Sequence, residues 1–352
     1  MNRFPTKQEI ENPKVSLFLE YSEEGLNEIL IYAIGQFNND IVQSALEYGA
    51  NPNANYIENS PFSGVFEKFM MDATIPGTPI EHAVYHDNSI ALRHLMDYGG
   101  KVVETSAYFQ HRCPIVRMCQ QNKLKCLAEY IETMKHIDMP LNFSYSRSLI
   151  GFAIQFGNKD LYDFLISKGA HKRGYVFNGL EYESIPNVFS VLFKSHNDIN
   201  TIIDMLHFLE SRGVSMDKES YDCHIYPYEF AMKSKHSLAI LKHFISRGVS
   251  FEQPDHHAIF PAIESADDET VHYIIKHSTN INVKTSYGDS PIDFALEIER
   301  YDIIAKLLER GVDFNYEKAI SHSVKDKTST LIDIFFHYQL KKDGLKSIWN
   351  LS

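Results

Sequence analysis

The chain has 352 residues, 44% of them hydrophobic and 23% charged, the balance of a folded protein rather than a disordered one. Its formal net charge of -12, from 46 acidic and 34 basic residues, argues against an electrostatic grip on nucleic acid and suits a partner with a basic face. No run approaches the ~18 apolar residues of a membrane helix, so no membrane span is expected.

In chain order, the first stretch is 1–25, broken by charges and without the apolar core of a Sec-type signal peptide. Its apolar residues are Val15, Leu17, Phe18 and Leu19. Ile29–Asn53 follows, with Ala33, Ile41, Val42, Leu46, Gly49 and Ala50 at helical spacings. Thr78-Pro79-Ile80-Glu81-His82-Ala83 then opens a pattern in which Gly99 follows Thr78 by 21 positions. The same step of 21 links Ser148 to Gly169, His257 to Ser278 and Ser290 to Gly311. Ser290 begins 12 residues after Ser278, which completes a 33-residue period.

Ser290–Asn315 shows the physics of one unit. The Ser290 hydroxyl caps a helix start by accepting from an otherwise unpaired backbone N–H, and Pro291 fits the first helical position. Ile292, Ala295 and Leu296 form one apolar face; after a polar turn at Glu299–Asp302, Ile303, Ile304, Leu307 and Leu308 form a second. Gly311 provides the left-handed end of the second helix. Helices this short are not stable alone, so neighbours must cover their apolar faces.

These residues resemble the ankyrin repeat, whose period is 33 and whose signature is T-P-L-H-x-A. Gly288, Ser290, Pro291, Ala295, Ile303, Leu307, Leu308, Gly311 and Asn315 occupy the matching places, and Thr78–Gly100 and Ser148–Ala170 match closely again. Weaker copies are Cys113–Met134, with Met118 where alanine belongs, Ser184–Gly213, Tyr226–Gly248, and Ala258–Asn282, where Ser278 replaces the capping glycine. The expected fold is an all-α ankyrin-repeat solenoid of about eight helix-turn-helix repeats over 26–316, joined by short hairpin loops. Residues 1–25 are expected to form an N-terminal cap, and 317–352 a C-terminal capping helix pair and tail, with Thr328 or Ser329 capping the last helix and Trp349 able to dock back.

Three irregularities stand out. Gly49 to Thr78 is 29 residues rather than 12, an insertion near 55–77 that includes an amphipathic stretch at Ser63–Asp72. Ser184–Gly213 is longer than its counterparts, with the extra length expected in the inter-helix loop near Lys194–Asn200. Gly248 to His257 is only 9 residues, so a trimmed hairpin is expected there.

The resemblance implies binding through a concave groove lined by hairpin tips and by exposed positions of each first helix. The tips carry Tyr56, Tyr108, Phe109, His111, Arg112, Lys172, Arg173, Tyr175, Tyr221 and Tyr287; the helix positions carry Tyr85, His86, Gln155 and Phe156. Tyrosine and arginine are frequent anchors of protein interfaces.

Chemistry is hard to find. There is no GxGxxG after a strand, no Walker loop, no HExxH and no GxSxG. Cysteines at 113, 119, 126 and 223 form no CxxC, and Cys119 and Cys126 read as small apolar filler. No metal site, cofactor or catalytic residue is expected; Cys223-His224 and His256-His257 lack a second pair at zinc-like spacing. The reading is a non-enzymatic scaffold with one protein partner, no nucleic acid, and a monomeric state. Similar free-standing arrays occur among bacterial effectors and viral host-range proteins, which implies a cytoplasmic location or delivery into a host cell without a Sec signal. The alternatives are an inhibitor that occludes an enzyme or toxin, and an enzyme using Cys113 or Cys223 with a nearby histidine in an insertion.

Overall fold

The computed structural model describes residues 3–54, 77–102, 113–139, 141, 148–173, 188–195, 197–217, 226–253, 256–325 and 330–342. The insertion at 55–77 therefore lies almost wholly outside the described residues, as do Thr328, Ser329 and Trp349. The chain divides into two compact units, Met1–Val188 and Phe189–Ser352.

The first unit opens with α1 (Lys7–Glu11), held by a reciprocal cap in which the Thr6 hydroxyl accepts from Glu9 N–H and the Glu9 carboxylate accepts from Thr6 N–H. A 3-10 turn, Val15–Glu20, follows. Of the four apolar residues there, Phe18 is buried and meets Tyr48 edge-on at 5.8 Å, while Leu19 is 78% exposed and shields nothing.

Four helix pairs come next. They are α2 (Glu23–Gly35) with α3 (Asn39–Glu47), α4 (Pro79–His86) with α5 (Ser89–Asp97), α6 (Pro114–Gln120) with α7 (Leu124–Thr133), and α8 (Leu149–Gln155) with α9 (Lys159–Ser167). Each start has a local cause. Ser22, Thr78 and Ser148 cap first helices; Asn38, Asn88 and Asn158 cap second helices. Gly49, Gly99 and Gly169 end second helices at φ of +103°, +85° and +96°, the left-handed region where a side chain is strained.

The pairs stack in chain order, as the repeat predicts. First helices pack α2 on α4 on α6 on α8, and second helices α3 on α5 on α7. Ile80, Val84, Leu92, Leu95, Ile115 and Leu127 are fully buried between neighbours. Burial of each such side chain contributes roughly 1.5–3 kcal/mol, which a helix of two turns cannot supply from its own hydrogen bonds. Cys113, Cys119 and Cys126 are also 0% exposed. Burial pushes the Cys119 and Cys126 thiols well above their ordinary range, so neither supplies a thiolate at neutral pH.

Polar side chains lock one pair to the next. The capping Asn88 also donates to the Ile34 carbonyl at 3.0 Å, and the capping Asn158 to the Cys119 carbonyl at 3.3 Å, so each serves its own helix and the preceding repeat. Asn53 accepts from Lys101 N–H at 2.8 Å, and Asp138 from His171 N–H at 3.0 Å. Both bind the loop leaving a second helix to the same loop of the next repeat.

The second unit begins at α10 (Val188–Lys194) and α11 (Ile199–Ser211), and continues with α12 (Pro227–Met232) and α13 (Ser237–Ser246). The extra length of this region lies mostly in α11, whose 13 residues exceed the 9 of α9, so the expected long loop is replaced by a longer second helix. Asp198 starts it by accepting from Asn200 and Thr201 N–H. The trimmed hairpin is a minimal antiparallel ribbon, β1 (Glu252–Gln253) with β2 (His256–His257). Then come α14 (Ile259–Ser265), α15 (Asp268–His277), α16 (Pro291–Glu297), α17 (Tyr301–Glu309), α18 (Tyr316–Lys325) and α19 (Thr330–Lys342). Two rows again form: α12, α14, α16, α18 and α11, α13, α15, α17, α19.

Ser290 makes the cap that the sequence predicts, Asp293 adds a return bond by accepting from Ser290 N–H, and Gly311 takes φ +81°. Ser278, in contrast, ends α15 in extended conformation (φ -68°, ψ 131°). One arginine of the following repeat serves this end and a second serves the end of α14. Arg310 donates to the Ile275 and Ser278 carbonyls at 3.3 and 3.1 Å, and Arg300 to those of Ile263 and Ala266 at 2.9 and 3.2 Å.

Candidate protein-binding surface

Two or three residues separate the helices of each pair in the first unit, and the one directly before the N-cap of the second helix adopts the left-handed conformation: Phe37 (φ 57°), Asp87 (56°), Asn122 (54°) and Gly157 (62°). Glycine, asparagine and aspartate tolerate this region; a phenylalanine there is strained. Phe37 is also 54% exposed, and its ring stands edge-on to His86 at 6.4 Å.

Tyr85 and His86, at the end of α4, form the other side of this cluster. Tyr85 is 44% exposed, meets His86 edge-on at 5.0 Å, and has the Arg117 guanidinium 5.9 Å from its ring centroid. His82, one turn earlier, stacks with His86 at 6.5 Å. His86 packs beside α2 at Gly35, where a Cβ would stand 3.4 Å from His86 Nε2, an ordinary van der Waals contact. Burial, then the charge of Lys123, holds the His86 imidazole below its ordinary range, so the ring is neutral at pH 7. The cluster joins flat apolar area to a neutral imidazole, with buried Arg117 supporting the Tyr85 ring, a combination suited to a partner's apolar anchor with a hydrogen-bonding group beside it.

Two further candidates stand at the end of α8. Phe156 is half-buried and stacks on Phe152 at 5.9 Å; Gln155 beside it is half-buried. They hold the same places relative to Asn158 as His86 and Tyr85 hold relative to Asn88. Lys172 is exposed, and its carbonyl accepts from Tyr162 Oη at 2.6 Å; Arg173 is half-buried. Tyr287, in the second unit, is 93% exposed at the tip of a tight turn closed by Thr285 and Asp289. Tyr56, Tyr108, Phe109, His111, Arg112, Tyr175 and Tyr221 lie outside the described residues.

The structure thus brings Tyr85 and His86 together and adds Phe37, His82 and Arg117, which sequence reasoning missed. The signal for Phe37 was its place directly before the capping Asn38, where its counterparts are Asp, Asn and Gly.

The second unit carries its own aromatic surface on second helices. His207 and His243 meet at 4.8 Å and Tyr273 and His277 at 4.3 Å, with Lys242 5.7 Å above the Tyr273 ring. An open cleft of about 630 Å³ between α17 and α19 is lined by Ala305, Leu308, Glu309, Ile334, His337 and Tyr338. Among the described residues no group of three or more His, Cys, Asp or Glu could hold a metal ion. No described helix is long and apolar enough to cross a membrane.

A family model for ankyrin repeats (many copies) matches residues 256–315, the stretch from the short ribbon through α17. Residues 256–315 thus match ankyrin repeats, and the chain as a whole is similar to ankyrin-repeat proteins. An ankyrin repeat protein of Acanthamoeba polyphaga mimivirus is 26% identical over 213 residues, covering 58% of this chain and 27% of that one. The chain thus spans about a quarter of the length of that relative. The ankyrin repeat domain of human ASB11 is 17% identical, covering 68% of this chain and 100% of that one with a TM-score of 0.43. Ankyrin repeats are in general protein-interaction modules.

Proposed function

We propose that this ankyrin array is a non-enzymatic scaffold that binds one protein partner through the first-helix face of its first unit. Phe37, Tyr85 and His86 would be the central anchors and Gln155 and Phe156 a second contact further along the row. The supporting observation is the exposed pair Phe37 and Tyr85 on either side of half-buried His86, where a strained aromatic is kept on the surface although it adds nothing to the core. Lys172 and Arg173 add positive charge to this part of an acidic molecule. A role directed at host proteins fits a chain with a viral relative and remains part of the same proposal.

The test is affinity capture from a lysate with the wild-type chain, a Tyr85→Ala/Phe156→Ala variant and a Tyr287→Ala control. The double variant is expected to lose the captured protein, keep its thermal midpoint within a few degrees, and leave the control unaffected. Undiminished capture by the folded double variant would remove this face from consideration.

A further inference from the structure

On the second-helix side of the second unit, two histidines from adjacent repeats stand together. His207 lies on α11 and His243 on α13, helices packed side by side in one row, and their ring centres are 4.8 Å apart with the planes at 61°. His243 Nε2 is closed off from solvent and has no hydrogen-bond partner among the described residues. A buried nitrogen left without a partner asks for one, whether a protein group, a water or an ion. The charged side chains around the pair are engaged with one another or turned elsewhere. Arg247, one turn beyond His243, donates through Nε and Nη2 to the Glu210 carboxylate at 3.2 and 2.6 Å. Lys242 lies over the next repeat, 5.7 Å from the centre of the Tyr273 ring.

We propose that His207 and His243 form a two-imidazole site for a divalent transition-metal ion, zinc or copper(II), that clamps α11 to α13. The distance carries the inference. A metal–nitrogen bond of about 2.1 Å and roughly 1.1 Å from nitrogen to ring centre put each ring centre about 3.2 Å from the ion, so two imidazoles at about 90–110° around it have centres about 4.5–5.2 Å apart. The observed 4.8 Å falls inside that window. Burial, then the charges of His207 and Arg247, hold the His243 imidazole below its ordinary range, with Glu210 opposing; at pH 7 the ring is neutral and keeps the lone pair that a metal needs. His207 is exposed, so its ring can swing aside to admit the ion and then close on it. Imidazole nitrogen suits zinc, copper and nickel, whereas magnesium and calcium require oxygen. Water fills the remaining positions, which keeps the affinity below that of a four-ligand structural site. The two histidines belong to different repeats, so no short ligand spacing in the sequence marks them.

Edge-on packing of two rings alone also brings their centres to this separation, and it predicts no response to metal. The test is amide hydrogen exchange of the full chain, read by mass spectrometry, with zinc chloride, with magnesium chloride and with neither. Zinc is expected to slow exchange several-fold in both α11 and α13, and magnesium to leave it unchanged. His207→Gln, which keeps an exposed side chain of similar bulk but removes the imidazole, should abolish the zinc effect. His277→Ala, on α15 of the same row, should retain it; circular dichroism checks that each variant keeps its helices. Unchanged exchange in the wild-type chain with zinc overturns the proposal. So does slowing confined to one of the two helices, slowing that survives His207→Gln or disappears in His277→Ala, since the ion would then be held elsewhere, and slowing produced equally by magnesium.

Discussion

Phe37 is the only aromatic among the four described non-glycine residues with positive φ. Holding it there costs about 1 kcal/mol relative to a residue that tolerates the left-handed region. Asn122 holds the equivalent turn position two repeats later. Phe37→Asn is therefore expected to raise the urea midpoint by an amount equivalent to ~0.5–1 kcal/mol while weakening partner capture. Opposite signs in the two measurements would separate a binding role from a structural one; a loss of stability would show that the ring is held by packing. Tyr85 and His86 were legible in the sequence because the repeat assigns their positions a place on the helix. Phe37 was not, because residue type points away from it, and only its backbone dihedral and its contact with His86 reveal it.

At the scale of elements, helix starts were legible and some helix ends were not. A capping serine, threonine or asparagine acts on its own next turn, so Thr78, Ser148 and Ser290 could be read directly. The ends of α14 and α15 lack a left-handed glycine, and Arg300 and Arg310, supplied by the next repeat, take over their open carbonyls. Arg300 also pairs with Asp268 at 2.7 Å. Arg300→Ala is expected to lower the stability of the second unit by about 1–3 kcal/mol, because it leaves partly buried carbonyls without their donor. Arg300→Lys should recover little, since an ammonium cannot span two carbonyls and a carboxylate as a planar fork does. Chemical denaturation measures the loss, and hydrogen exchange should place it at the end of α14. The tight hairpin and the lengthened α11 belong to this scale too: spacing showed that length was gained or lost, and only the coordinates showed that the gain went into helix.

At the largest scale, the described helix pairs of each unit bury their apolar faces against the next pair in the row, which makes the stability of a unit a sum over neighbouring pairs. Titration of a few half-buried groups then acts on each unit. His86 in the first unit and His243 in the second are held below the usual imidazole range, chiefly by burial. Lys123 adds to the effect at His86; His207 and Arg247 add to it at His243, where Glu210 opposes them. A depressed imidazole value means that the folded state favours the neutral ring. The stabilisation is complete above the unfolded value of about 6.5 and is lost as pH falls through the lowered folded value. The thermal midpoint is expected to drop between about pH 7.5 and about pH 5.5, and to drop less in His243→Asn. An equal drop in wild type and variant would show that His243 does not carry this linkage.

The 33-residue period, the capping residues, the turn glycines and hence the fold were determined by the sequence alone, because each acts within a few residues of itself and recurs in phase. The tertiary structure decided which side chains bridge repeats, which aromatics reach solvent, and which histidines of neighbouring helices meet. Those outcomes depend on the offset between one pair and the next, and a spacing along the chain carries no information about that offset.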